Sequence, residues 1–457
     1  MKTKTISVLG VVVLLLAVAA GGQESMDGAD VRALDQFIKG NAAAQQGNPY
    51  QAIYFFEEAI RYDSDSPFLY VALAEQYLVL ADENKSSEAI ERAEKALQQA
   101  LSIDPMYEPA LELQSRLLAA RGNAREAERI VRLLLDKNPN NRGYQIDLLG
   151  LSLSTGSFDT VDSLYTEISK SDGENLDLTR RILAIYLVSG ESKRAIPYLT
   201  ELYNADTTDA GIVYTLSTLY LQSNDTSRAL EAVEEAIRLD SSDARFWYLR
   251  LVIEYEAERY DSVLRIAESA RKSAGDDART FNLEGLVHLR NMDSTRAKEC
   301  FLRALELDST LYPSAGSLAL IYDSEDSVEQ SERYYSIAMS LSDSAAIYLN
   351  NCAYMYAVRG LKLETAMSLV DEALKKEPEN PSYLDTKAWI YFKQSRFKDA
   401  LKWIKRALKH DPRSAPIFEH LGDIYEAMGK PSLASENWKT ALELDPKNAS
   451  VRQKLGE

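Results

Sequence analysis

Histidine and cysteine are nearly missing from this sequence: 457 residues hold three of the first and two of the second. The histidines, His288, His410 and His420, share no spacing that would let two of them hold one metal ion. Also missing are G-x-S-x-G, H-E-x-x-H, G-x-x-x-x-G-K-[ST] and G-x-G-x-x-G, so the common nucleophile, zinc-protease and nucleotide-binding signatures are excluded. Carboxylates are plentiful, but pairs such as Glu57-Glu58 and Glu234-Glu235 are adjacent in sequence, which on a helix turns them apart rather than toward one substrate atom. Neither a catalytic group, a metal nor a cofactor is expected. Positive charge is short as well, 52 Lys and Arg against 70 Asp and Glu, and the net charge of −18 repels the phosphates a nucleic-acid binder must neutralise. It disfavours an anionic membrane surface for the same reason.

Long apolar runs are limited to one, residues 6–20, broken only by Ser7 and Gly10. Lys2 and Lys4 precede it, Gly21-Gly22-Gln23-Glu24 follow, and Ala17-Val18-Ala19 or Val18-Ala19-Ala20 supplies small residues for cleavage, the layout of an export signal. The run is shorter than the roughly 20 residues that span a bilayer. The expectation is a signal peptide over 1–22, a short linker over 23–32 and an exported chain of the periplasm or cell envelope, with membrane attachment only if the segment stays uncleaved. No cysteine follows the run to carry a lipid.

What is present is a foldable chain, 46% hydrophobic and 27% charged, with a period of 34 residues. In the unit that starts at Ala415, Phe418, Leu421, Gly422, Tyr425, Gly429, Ala434, Trp438, Ala441 and Pro446 take slots 4, 7, 8, 11, 15, 20, 24, 27 and 32. One period earlier the same slots hold Leu384, Lys387, Ala388, Tyr391, Ser395, Ala400, Ile404, Ala407 and Pro412. The register predicts units 33–66, 67–107, 108–141, 142–175, 176–209, 210–243, 244–277, 278–311, 312–345, 346–380, 381–414 and 415–448, then a short helix over 449–457. Seven extra residues around Ala81 to Ser87, and one near Leu361, are expected between the helices of their pairs. Ser152, Glu254 and Ser331 stand where Tyr, Tyr and Ala are usual.

These slots resemble the tetratricopeptide repeat family, of the exported bacterial type. The resemblance implies an all-α superhelical solenoid of about twelve antiparallel helix pairs, each pair held by small residues at slots 8, 20 and 27 where helix axes come closest. In that register Cys300 and Cys352 lie on helices separated by two others, about 20 Å apart at 8–10 Å per packed neighbour, too far to bridge. Asp240-Ser241 and Asp308-Ser309, at the unit boundaries, read as helix caps for the helix that follows rather than calcium ligands.

In this family slots 2, 5, 9, 12 and 13 of the first helix line a concave groove. The resemblance therefore implies a partner-binding set of Tyr214, Tyr248, Asn282, Arg290, Asn350, Tyr354, Trp389, Phe392 and Lys393, residue types that dominate binding hot spots. Tyr214 and Tyr248, one period apart in the same slot, are expected to stack. The unit 381–414 departs from the acidic balance, with nine Lys and Arg against Asp385, Asp399 and Asp411. With only residues 449–457 beyond the last unit, an uncovered apolar end is expected to pair two copies. The function expected is a non-catalytic protein–protein interaction scaffold of the cell envelope that holds a peptide or helical partner in the groove. The alternative is an accessory subunit of polysaccharide or lipid export that binds glycan through the groove aromatics.

Overall fold

The structure is a computed structural model that describes residues 28–173, 175–342 and 345–456. The export signal expected over 1–22 lies outside the described residues. Among the described residues there are 25 helices and no strand. None is long and apolar enough to cross a membrane. The chain divides into two compact units, Met1–Ile185 and Tyr186–Glu457.

The first unit holds α1 Gly28–Gln45 with α2 Pro49–Tyr62, α3 Pro67–Asn84 with α4 Ser87–Ile103, α5 Glu108–Ala120 with α6 Ala124–Lys137, and α7 Arg142–Thr155 with α8 Phe158–Asp172. Helix α9, Leu176–Val188, contains the division. The second unit continues with α10 Ser192–Ala205, α11 Ala210–Gln222, α12 Thr226–Leu239, α13 Ala244–Glu256, α14 Tyr260–Ala274, α15 Ala278–Arg290 and α16 Ser294–Leu307. Then come α17 Tyr312–Ser324, α18 Val328–Leu341, α19 Ala346–Arg359, α20 Leu363–Lys376, α21 Pro381–Lys393, α22 Phe397–His410, α23 Ala415–Ala427, α24 Pro431–Leu444 and α25 Ala449–Leu455.

Helix α1 starts at Gly28, so residues 28–32, expected as linker, are helical. The seven extra residues of the second pair do not form a loop: α3 and α4 lengthen to 18 and 17 residues, and only Lys85 and Ser86 join them. The extra residue of the unit at 346 likewise lengthens α19 to 14 residues. Added residues with helical propensity extend a helix because each contributes a backbone hydrogen bond that a loop does not.

Inside a pair, the close approach is set by slots 8, 20 and 27. Ala229 and Ala236, Ala297 and Ala304, and Ala400 and Ala407 are all fully buried. At slot 8 of α15, a Cβ added to Gly285 would lie 2.6 Å from the Phe301 ring, so only glycine fits. Where serine replaces a small apolar residue, its hydroxyl donates to the backbone of the facing helix: Ser217 to the Ala229 carbonyl at 2.7 Å and Ser331 to the Ala319 carbonyl at 2.8 Å. The hydroxyl is thus satisfied without spreading the helices. Glu254, 3% exposed in a tyrosine slot, is neutralised by Arg250 and Arg259 at 3.2 and 2.5 Å.

Unit boundaries are made by two side-chain devices, and this corrects the expected capping. Asp240 and Asp308 end the second helix, accepting from the N–H of Ser242 and Thr310 at 2.9 Å each. The following helix is capped three residues on, as by Asp243 and Asn380. The turn within each pair places a residue in the left-handed region, and the α19–α20 turn places two, Gly360 and Lys362. The residue is Gly122 or Gly429 in some pairs, but Glu258, Met292 and Ser395 in others, with φ of 57, 60 and 58°.

Met292→Gly removes that backbone strain at a side chain 90% exposed, and should raise stability by about 0.5–1 kcal/mol. Gly285→Leu, in the same pair, should lower it by about 1–3 kcal/mol through overpacking against Phe301. Urea unfolding followed by far-UV circular dichroism checks both, and midpoints moving in the same direction would contradict the geometry.

Candidate partner-binding face

The nine residues expected to bind a partner all lie on first helices of the second unit, and their surroundings differ. On α11 and α13, Tyr214 packs against Phe246 (ring centroids 5.1 Å apart) under the Arg245 guanidinium at 5.8 Å, and Arg279 sits 4.6 Å over Tyr248. The expected Tyr214–Tyr248 stack is not formed: Phe246 fills the near side of Tyr214 and arginines cover both tyrosines. Asn282 is committed to the scaffold, because its Oδ1 accepts from Ser314 Oγ at 2.8 Å. Arg290 is exposed and lies 5.6 Å over the Tyr260 ring.

The remaining five lie on α19 and α21, where His420 of α23 meets two of their rings. Trp389 stacks on Phe392 (4.6 Å, 14°) and on His420 (4.1 Å, 20°), and the Lys393 ammonium lies 5.4 Å from its ring. Tyr354, 37% exposed, approaches the other side of the cluster at 6.3 Å from His420. Asn350 is buried four residues before Tyr354, and its Oδ1 has no hydrogen-bond partner. The Trp389 indole N–H is buried and unpartnered too. Buried polar atoms of this kind are rare in native folds and draw attention to the surface that could satisfy them.

Beneath the rings is a group the sequence reading passed over. His420 Nδ1 pairs with both oxygens of Asp385 at 2.8 and 3.0 Å, and both residues are buried. The signal was available in the register: Asp385 holds slot 5 of one unit and His420 slot 6 of the next, neighbours once first helices stack. Burial alone would depress the imidazole pKa, but the charge and hydrogen bond of Asp385, with the charges of Asp423 and Glu419, hold it above the usual histidine range. Burial, then the carboxylates Asp385, Glu419 and Asp323, push the Tyr354 phenol up to about 12. Glu419 and Asp423 are themselves held by Lys454 of α25 at 2.8 Å.

Helix α25 also packs on the last helix pair. Val451 is fully buried and Leu455 packs on the same core, while Arg452, Gln453 and Lys454 face solvent. Val451 and Leu455 cover part of the end at which pairing of two copies is expected. The thiols are both free, and burial pushes Cys300 to about 11 and Cys352 to about 12, so neither is a ready thiolate at neutral pH.

Repeated antiparallel helix pairs that present side chains from one helix of each pair define an all-α repeat scaffold. A tetratricopeptide repeat family profile matches residues 214–278 and 354–415, and a second tetratricopeptide repeat profile matches 415–448. These stretches are tetratricopeptide repeats, and proteins built of such repeats are protein–protein interaction scaffolds that are in general not enzymatic. No curated protein sequence matches it. Among solved structures it is similar to the APC/C hetero-tetramer Cut9–Hcn1, at 16% identity over 98% of this chain and 92% of that one with a TM-score of 0.41. It is similar also to a tetratricopeptide repeat protein from Parabacteroides merdae, at 13% identity over 54% and 97% with a TM-score of 0.42. A third is Pseudomonas aeruginosa PilF, at 22% over 47% and 96% with a TM-score of 0.41.

The Asp385–His420 pair makes a signed prediction. Because the folded pKa of His420 lies above its ordinary 6.5, the pair contributes fully below about pH 6.5 and is lost as pH rises through the raised value. The thermal midpoint should therefore fall across that limb, and His420→Gln should flatten it. An equally steep fall in the variant would assign the effect to other groups.

Proposed function

We propose that the chain is an exported scaffold of the cell envelope that captures a peptide or a helical partner on the first-helix face of α19, α21 and α23. The observation that carries this reading is the coincidence there of a half-exposed ring, Tyr354, a half-buried cation, Lys393, and two buried polar atoms without partners, Asn350 Oδ1 and Trp389 Nε1. An arriving chain supplies amide donors and acceptors for such atoms and apolar side chains for the rings. The stacking of Trp389 on Phe392 and His420 favours a polypeptide over a glycan, since a sugar platform needs a free ring face. Tyr214, Tyr248, Asn282 and Arg290, engaged with Phe246, Arg279, Ser314 and Tyr260, extend the surface as framework. Export to the periplasm rests on the apolar run and small residues near the start of the sequence.

The test is affinity capture from envelope fractions with the chain produced from its own signal, assaying proteins and glycans in one eluate. One protein should be recovered near stoichiometric yield, and the Tyr354→Ala/Lys393→Ala double variant should lose it about tenfold or more with unchanged helicity. Undiminished capture by the variant removes this face from consideration, and glycan recovered without protein supports the export-accessory alternative.

A further inference from the structure

The outward side of α22 carries a feature that the first-helix face does not explain. Lys398, Lys402, Lys405 and Lys409 follow at helical spacing and are all exposed, while Ala400, Ile404 and Ala407 of the same helix are fully buried. At about 1.5 Å rise per residue the four ammonium groups form one line about 16 Å long. Arg406 stands beside it, 5.3 Å from the half-buried Trp403 ring, and donates to the Pro378 carbonyl at 3.0 Å.

The line is uncompensated. Basic side chains elsewhere commonly have a carboxylate within reach, such as Lys298 with Glu325 and Lys362 with Glu332. Among the described residues none pairs with Lys398, Lys402, Lys405 or Lys409. The three aspartates of the unit are committed elsewhere: Asp385 to His420, Asp399 to Arg396 at 2.8 Å, and Asp411 to the Arg413 backbone N–H. The stripe is not a product of the repeat pattern either, because the equivalent positions on α20 hold Glu364, Ser368, Asp371 and Lys375 and those on α24 hold Ser432, Glu436, Lys439 and Glu443, so each carries more acid than base. Four like charges along one helix repel one another, so the arrangement disfavours the isolated chain slightly and favours a complementary partner.

We propose that the outward face of α22 is a docking surface for an acidic polypeptide segment, whose carboxylates pair with Lys398, Lys402, Lys405 and Lys409. The flanking helices decide between a segment and a membrane. A flat anionic surface wide enough to meet α22 would also meet Glu364 and Asp371 on α20 and Glu436 and Glu443 on α24, which outnumber Lys375 and Lys439 there, in a chain whose net charge is −18. A single segment one helix wide lies along the lysines and clears those carboxylates. The exposed pairs so formed are screened by salt within a Debye length of about 8 Å, so docking is strongest at low ionic strength.

A short fluorescein-labelled polyglutamate peptide is titrated with the full chain and followed by anisotropy, alongside vesicles with and without phosphatidylglycerol. The chain should bind the peptide at low salt, and the K398Q/K402Q/K405Q/K409Q variant should bind it about tenfold more weakly or worse. A variant with arginine at all four positions should retain binding, which separates loss of charge from loss of fold. Equal binding by the glutamine variant, loss in the arginine variant, or binding to anionic vesicles but not to polyglutamate would each overturn the proposal.

Discussion

Close approach of two helix axes is the constraint on which the rest of this structure depends. A pair of helices can approach so far only if the residues at the crossing have little or no side chain, and here Gly285, Ala297 and Ala304 meet that condition in a single pair. The large ring of Phe301 then fills the space left beside them, which is why small and large residues alternate in fixed slots rather than at random. Because each pair shows an apolar side to the next, the same few slots also govern stacking along a unit, and stability is a sum of local terms with neighbour terms.

That local arithmetic explains how polar groups are admitted to the interior. A serine is accepted at slot 8 or 20 because the facing helix offers a carbonyl at hydrogen-bond distance, and a glutamate at slot 11 because two arginines reach it. In the first unit Ser152, in another tyrosine slot, donates to Glu128, which also accepts from Thr155 and Arg132. Polar contacts thus stand where a ring is usual at Ser152 and Glu254, with no loosening of the register.

The two surfaces of the second unit have different physical characters. The first-helix face between α19 and α23 is built of rings packed over the buried Asp385–His420 pair, so its affinity would come from desolvation and shape. The outer face of α22 is a line of solvated charges, whose contribution is electrostatic and salt-sensitive. Lys387 links the two sides of that pair: its ammonium lies 4.1 Å over Trp403 and 2.5 Å from Asp371, which fixes α22 against its neighbours from within.

The all-α fold and its pairing were legible in the sequence because they depend on residue size at a fixed period, and periodicity needs no coordinates to be read. The basic character of the unit at 381 is likewise read from its residues alone. Longer helices in the second pair were not legible, since helix-forming residues read equally well as insertion or extension until packing chooses. Nor was the division of labour within the groove residues: a slot states which way a residue points, but not whether Arg279 will cover Tyr248 or Ser314 will engage Asn282. The Asp385–His420 pair shows the boundary most clearly. Each residue is unremarked in its own unit, and their meeting exists only once two first helices stack and exclude water around both side chains. Sequence by itself determined the repeat and therefore the scaffold; tertiary structure decided which polar groups are buried together, because burial and charge pairing are properties of neighbours in space.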